Sequence, residues 1–195
     1  MKISKSQSPK DDLLDPASAA WKDLTAETAS LSPVALDAQP NEYIRTAWAE
    51  RPYGQTAAAS AIAQQAGDTV YIRLEWDDDA KANGEFADAA AVLLGKGGAL
   101  NTLGSIEQPL KMWYWADGRP NPLSLTSKGP GVVAPAGEDA LDAAAVPDGG
   151  RWAMVIAGPL AAVSGNQLGV AIWNGSNDER AGLAAVSDWL DLETE

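Results

Sequence analysis

The sequence predicts an all-β fold, an antiparallel β-sandwich with short helices and a long Pro/Gly-rich loop. Short runs of apolar residues alternate with polar residues at a period of two, which is typical of half-buried strands. Eighteen glycines and twelve prolines separate these runs with turn signals. With 195 residues, 46% of them hydrophobic, the chain is long enough to bury one core.

The N-terminal part predicts a tail, a short helix and a first strand. Residues 1–10 carry no apolar run and are predicted to be a flexible tail, with residues 11–195 forming a single β-sandwich domain. Asp15 as N-cap and Pro16 at the first helical position predict a short helix that ends near Trp21. We expect Trp21 to plug the core, and residues 30–36 to form a first edge strand.

The clearest strand is at residues 68–77, DTVYIRLEWD, where every second residue is apolar. Residues 66–68, AGD, supply a turn before it. The preceding residues 55–65 are rich in alanine, which leaves a helix open, but their position before the turn favours a hairpin partner.

Further strands are predicted along the rest of the chain, at residues 86–94, 111–116, 151–157 and 168–174. Residues 118–137 contain four prolines and are predicted to be a long surface loop. Residues 138–146 are predicted to form a brief helix. No fixed-period repeat and no domain boundary is visible.

The composition excludes several classes of site. Without cysteine or histidine, the chain can form no disulfide, no thiolate metal site and no catalytic triad based on histidine. The net charge of −13 repels phosphate and anionic lipid, so neither nucleic acid nor a membrane surface is an expected partner. The sequence contains no run of about 18 apolar residues, so it predicts no membrane-spanning helix.

The N-terminus carries positive charge but no apolar h-region follows it. It therefore does not resemble a secretory signal. We expect the chain in the cytoplasm, or in the periplasm if a leader has been removed.

Two groups of side chains are candidate binding sites, each with a simpler alternative. Three consecutive carboxylates at residues 77–79 are candidate Ca²⁺ ligands, or merely a solvated strand end. Trp113 and Trp115 point to the same side of their strand. They, with Trp76 and Trp152, are either a platform for stacking sugars or core aromatics, and core packing is the favoured interpretation.

Two further features have structural interpretations. Asp88 lies in an apolar strand, where a carboxylate needs a partner, and Arg73 or Arg151 is the expected one. Residues 95–98, GKGG, lack the spacing of a phosphate-binding loop and predict a turn.

The C-terminal residues 170–189, VAIWNGSNDERAGLAAVSDW, carry a family resemblance. They are similar to the closing signature of the heme b-binding gamma subunits of type II dimethyl sulfoxide reductase-family molybdoenzymes. These include ethylbenzene dehydrogenase, dimethyl sulfide dehydrogenase, and selenate and chlorate reductases. The resemblance covers most of residues 11–193. Other matching pieces are LEWD at 74–77, FADA at 86–89, Pro109 with MWYW at 112–115, and Asp15-Pro16 with Trp21.

The resemblance implies a β-sandwich similar to family 9 carbohydrate-binding modules and a non-catalytic gamma subunit. It implies that heme b is held by a Met and a Lys for electron transfer. The molybdenum cofactor would belong to an alpha subunit and the iron–sulfur clusters to a beta subunit.

The two heme-ligand positions of the family are changed in this chain. Leu103 stands where the resemblance places the Met, before Gly104, and Ala184 where it places the Lys. Neither side chain has a lone pair for iron, so we expect a structural subunit without heme b. One alternative is an electron-transfer subunit that binds heme b through substitute ligands, and another is a carbohydrate-binding module. The substitute candidates are Met112 and Lys111, and also Met154 and Lys96.

Overall fold

The computed structural model of the chain describes residues 1–78, 85–137 and 139–194. Thirteen strands dominate these ranges, with three short α-helices and four 3₁₀ turns between them. The strands are β1 Lys2–Lys5, β2 Glu27–Pro33, β3 Ala58–Ala66, β4 Thr69–Asp77, β5 Ala89–Gly95, β6 Leu110–Ala116, β7 Leu123–Ser127, β8 Val133–Pro135, β9 Asp142–Pro147, β10 Arg151–Pro159, β11 Gln167–Trp173, β12 Ala185–Ser187 and β13 Glu193–Thr194. The helices are α1 Lys10–Leu14, α2 Glu42–Trp48 and α3 Leu160–Val163, and the 3₁₀ turns are Ala19–Trp21, Leu36–Ala38, Leu100–Thr102 and Gly175–Asn177.

Two sheets form a sandwich, which confirms the predicted all-β fold. The first sheet contains β3, β4, β10 and β9, with β1 and β13 beside them, and the second contains β12, β11, β5, β6, β7 and β8. The pairings are antiparallel except those of β1 with β3 and β13. Strand β2 pairs with β3 through residues 27–30 and with β12 through residues 31–33. It therefore joins the two sheets and is not the predicted edge strand.

The main core lies between the sheets. Val70, Ile72, Leu74 and Trp76 of β4 are all buried on the inner face, which confirms the alternation predicted for this strand. Trp113 of β6, fully buried, packs in the same cluster from the second sheet. The predicted hairpin of β3 and β4 is also confirmed.

The outer faces of both sheets are covered as well. On the first sheet, Leu13 and Trp21 pack over Tyr71 and Val155, so Trp21 is the core plug that was expected. On the second sheet, a separate apolar cluster contains Leu103 and residues of β5, β6 and β11. Its covering loops leave a cavity open.

Several predicted elements differ from the structure. The predicted short helix is only a 3₁₀ turn, Ala19–Trp21, which ends at Trp21 as expected but is capped by Ser18 and not by Asp15, whose carboxylate accepts a hydrogen bond from the Ala17 amide; α1 precedes it and was not predicted. The brief helix predicted at residues 138–146 is wrong, since residues 142–147 form β9 on the edge of the first sheet; Glu138 itself lies outside the described residues. The loop prediction for residues 118–137 missed β7 and β8. Pro135 ends β8, an edge strand, where a missing amide donor is tolerated.

The segment predicted to be a flexible tail contains β1. Ile3 is buried in the main core, and β1 pairs with β3 from Ile3 to Lys5. No helix in the described ranges is long and apolar enough to cross a bilayer.

Candidate functional site

A cavity of about 340 Å³ opens on the outer face of the second sheet. Its floor is made of side chains that the strand alternation turns outward, namely Ala89, Met112, Tyr114, Leu125 and Trp173. Four loop segments close its sides, at residues 86–87, at Leu103, at Gly131 beside Val133 of β8, and at residues 179–181. The lining is mostly apolar, and its volume lies at the small end of the range for ligand sites, roughly 300–1,000 Å³.

Leu103 is part of the cavity wall and is held there by its backbone. It follows the 3₁₀ turn Leu100–Thr102 with φ 52°, in the left-handed region, which costs a residue with a Cβ about 1 kcal/mol. Its carbonyl accepts a hydrogen bond from Ser127 Oγ at 2.7 Å. Gly104 follows at φ 87°, where an added Cβ would lie 3.0 Å from the Ser127 carbonyl oxygen. The loop is thus fixed so that Leu103 presents hydrocarbon to the cavity.

Ala184 is fully buried in the same apolar cluster as Leu103. Its carbonyl accepts a hydrogen bond from the Val34 amide at 2.9 Å, but its methyl side chain offers no donor atom to iron. The two positions that the resemblance assigns to axial ligands therefore lie in one cluster and both carry hydrocarbon. A heme held by two axial ligands at these positions does not fit the residues present.

The substitute candidates are dispersed through the fold. Met112 lies on the cavity floor, 2% exposed, and supplies a thioether. Lys111 points to the opposite face of β6, where its Nζ lies 2.9 Å from Asp139 Oδ2. Met154 is buried between the sheets, and Lys96 is exposed after β5. Of the four, the structure brings Met112 alone to the cavity.

Tyr114 contributes a phenol to the cavity, packed edge-to-face against Trp173 with ring centroids 5.6 Å apart. Burial raises the pKa of its hydroxyl above the ordinary value. The phenol is therefore protonated at neutral pH, and it acts there as a polar, uncharged wall group.

Lys111 belongs to a polar cluster on Asp139. The Asp139 carboxylate accepts hydrogen bonds from Lys111 Nζ, Ser124 Oγ at 2.8 Å and Trp113 Nε1 at 3.2 Å. Burial by itself would raise the pKa of the Asp139 carboxyl, but these hydrogen bonds and the Lys111 charge hold it below its ordinary value. The ionised carboxylate is thus favoured by folding, and it fixes β6 against β7 and the Asp139 segment.

Asp139→Asn should lower the free energy of unfolding at pH 7 by about 1–2 kcal/mol, because charged hydrogen bonds become neutral ones. A folded-state pKa below the unfolded value, about 4, means that this contribution is present above pH 4 and is lost as the pH falls through the folded pKa. Urea unfolding of both proteins from pH 7 down to pH 3 measures it. The exposed Asp142, 2.7 Å from Lys10, is the control, and its Asn variant should change stability by less than about 1 kcal/mol. A difference between Asp139→Asn and wild type that is constant across this pH range would contradict the assignment.

Glu179 was not identified from the sequence, although it lies within the C-terminal motif. It is 1% exposed. Its carboxylate accepts hydrogen bonds from the Gly54 amide at 2.7 Å, the Asn174 amide at 2.9 Å and Asn177 Nδ2 at 3.1 Å. The Glu-Arg pair of the motif is the sequence signal that could have identified Glu179. Arg180, the next residue, lies at the cavity rim, with its guanidinium 4.2 Å from the centre of the Phe86 ring. Glu179 is a positioning residue for that rim.

Asp88 performs a similar role, and its predicted ion pair is wrong. Its carboxylate accepts hydrogen bonds from the Gly175 amide at 2.8 Å and from Trp152 Nε1 at 3.2 Å. Arg73 and Arg151 instead pair with carboxylates of β4. Neutral donors satisfy the buried carboxylate, and the bond to Gly175 anchors the turn that follows β11.

The other sequence candidates have structural roles. Trp76, Trp113 and Trp115 are buried, and Trp152 packs with ring centroids 5.3 Å from Trp115. This confirms core packing and leaves the Trp113–Trp115 pair unable to form a sugar platform. In the acidic run, Asp77 accepts a hydrogen bond from Arg151 Nε at 2.7 Å, and residue 79 lies outside the described residues. A turn was predicted at residues 95–98; residues 96–98 form a bend, and Gly95 is the last residue of β5.

Comparison with known proteins identifies the family to which the chain belongs. No family model matches the sequence. The chain is 32% identical over 183 residues to the chlorate reductase subunit gamma of Ideonella dechloratans, which covers 86% of this chain and 66% of that protein. It is 32% identical over 123 residues to the putative respiratory nitrate reductase heme subunit ORF7 of Haloferax mediterranei, over 54% of this chain and 42% of that one. The chain thus spans just under two thirds of the first relative and less than half of the second. Together with the sandwich fold, these matches show that the chain belongs to the family of the gamma subunits of type II molybdoenzymes.

Proposed function

We propose that the chain is a non-catalytic, structural subunit of a multisubunit molybdenum oxidoreductase and that it holds no axially ligated heme b. Its partners would be an alpha subunit with the molybdenum cofactor and a beta subunit with iron–sulfur clusters. The observation that carries the proposal is the apolar cavity whose wall presents Leu103, with Ala184 buried in the same cluster. A family scaffold is retained while both ligand positions carry hydrocarbon.

The energetics favour loss of the heme over weak retention. Axial ligands decide whether iron porphyrin is held and at which potential it works. With both ligands absent, affinity would rest on apolar contact with a cavity of about 340 Å³. The main core between the sheets is built from the chain's own apolar side chains. Such a subunit can stabilise its neighbours by surface complementarity alone.

One observation favours a second candidate function, electron transfer through a heme b that is bound by Met112. Met112 places a thioether on the cavity floor, and a methionine sulfur is a competent heme ligand. Leu103, which also lines the cavity, offers no second ligand. This candidate therefore predicts a heme with one protein ligand, whose spectrum depends on Met112.

The two candidates are separated by purifying the tagged chain with its native partners and recording the visible spectrum. We expect molybdenum and iron–sulfur subunits in the complex and no b-type Soret band assignable to this chain. A stoichiometric b-type band that disappears in Met112→Leu but persists in Met154→Leu would establish the second candidate instead. Met154 is the matched control, because it is buried between the sheets. Purification without any molybdenum-containing partner would contradict the subunit assignment itself.

A further inference from the structure

The exposed large apolar side chains lie in segments that contain lining residues of two neighbouring cavities. Among the described residues, four large hydrophobic side chains are exposed: Tyr43 at 79%, Ile106 at 76%, Val133 at 51% and Val132 at 44%. Val133 lines the cavity, and Ile106 lies in the loop that follows Leu103. Tyr43 lines a second cavity, of about 190 Å³, which shares Arg180 with the first. Val133 of β8 and Tyr43 of α2 thus line neighbouring cavities that share Arg180 and Ala181, and Val132 and Ile106 lie in chain segments next to lining residues.

The loops that carry them are contiguous. The Leu103 loop is bound to the end of β7 through the Ser127 Oγ hydrogen bond to the Leu103 carbonyl. From there the chain runs to Gly131, where an added Cβ would lie 3.5 Å from the Cβ of Ala181. Ala181 in turn lines the second cavity with Tyr43. We call the surface formed by Tyr43, Ile106, Val132, Val133 and Arg180 the mouth face.

An apolar rim that points to solvent indicates a protein partner. A small ligand would be enclosed by the cavity and would leave side chains such as Ile106 and Tyr43 in water. Clustered exposed apolar groups around a concave site are typical of protein interfaces, where an anchor side chain fills the pocket and surrounding contacts exclude water. The cavity and its rim together have this arrangement.

Arg180 indicates the charge of the partner. It is exposed, stacks on Phe86, and forms no ion pair with any described residue. In a chain with net charge −13, a cation at an apolar mouth favours a partner that places a carboxylate beside an apolar side chain. Neighbouring Asp178 is paired with Arg51 at 3.1 Å, and it is also influenced by the Arg180 charge without forming an ion pair with Arg180.

We infer that the mouth face is the surface by which this chain docks on a partner subunit of the reductase complex. An apolar partner side chain enters the cavity, and a partner carboxylate meets Arg180. This inference rests on the proposed function, since it requires that such a complex exists. It assigns to the cavity an anchoring role that needs no cofactor.

The test is co-purification of the alpha and beta subunits with the tagged chain from the native host. Val133→Asp and Arg180→Glu should each reduce the yield of partner subunits per tagged chain at least about tenfold, as hot-spot changes do. Arg180→Lys, which keeps the charge, should retain more of the partners than Arg180→Glu. Ala161→Asp is the control, because Ala161 is exposed on α3 and takes no part in the mouth face. Circular dichroism of each isolated variant verifies folding.

The other outcomes are distinguishable. If the wild-type chain retains both subunits and Val133→Asp retains them equally, the docking inference is overturned while the proposed function stands. If the wild-type chain retains neither, both fail. If native mass spectrometry shows a small apolar molecule that Val133→Asp loses without losing the subunits, the cavity is a ligand site and the inference is wrong. It is equally wrong if the variants abolish only self-association, since the mouth face would then bind a second copy.

Discussion

Leu103→Met should give the isolated protein a hemin-binding site at least about tenfold stronger than any in the wild-type chain, with a b-type Soret band. Leu103 and Met112 line the same cavity, so a thioether at position 103 would offer a porphyrin iron a second sulfur ligand there. A tenfold gain needs only about 1.4 kcal/mol. The substitution is close to isosteric and should cost less than about 1.5 kcal/mol of stability. Titration with hemin, followed at the Soret band, measures the effect.

Leu93→Met is the matched control for this experiment. Leu93 is fully buried in the same apolar cluster and pairs in register with Met112 on the neighbouring strand, but it does not line the cavity. Its variant should bind hemin no better than wild type. In the double variant Leu103→Met/Ala184→Lys, the Soret spectrum of bound hemin should shift towards that of a heme with two protein ligands only if the new lysine reaches the iron. A wild-type chain that binds hemin as tightly as Leu103→Met would contradict the claim that the ligand position has been emptied.

The sheet framework follows from the sequence where the side-chain pattern is strong. Strand β4 was predictable because alternate apolar residues bury one face. The same rule separates Lys111 from Met112, which are adjacent in sequence and therefore face opposite sides of β6. Residues 142–147 were not predictable, because their alanines favour helix in isolation. Their strand exists because β10 offers a free edge to pair with.

The cavity depends on contacts that no single segment encodes. Its wall combines residues of five strands with four loop segments, and long-range hydrogen bonds such as that from Ser127 to Leu103 help to position these loops. The resemblance located Leu103 and Ala184, but it could not show that Met112 alone of the four substitute candidates lines the cavity. The buried role of Glu179 was also hidden, since a Glu beside Asp and Arg in sequence is usually a solvated charge.

Glu179→Ala should lower the free energy of unfolding by about 3–5 kcal/mol, the largest stability change expected of a polar residue here. The variant leaves the amides of Gly54 and Asn174 and the Asn177 side chain without their acceptor. Gly54 lies in a crowded position with φ +60°, where an added Cβ would lie 2.8 Å from the Ala184 carbonyl oxygen. Urea unfolding of the two proteins gives the difference.

Glu107→Ala, in an exposed loop, is the control and should change stability by less than about 0.5 kcal/mol. Glu179→Gln keeps the size of the side chain but replaces one acceptor oxygen with an NH₂ group that faces donors. It should therefore fall between wild type and Glu179→Ala. Because Glu179 precedes Arg180, the Ala variant should also loosen the rim, and amide hydrogen exchange at residues 174–182 should rise more than in β4. If exchange rises equally in both, Glu179 supports the whole sandwich and not the rim in particular.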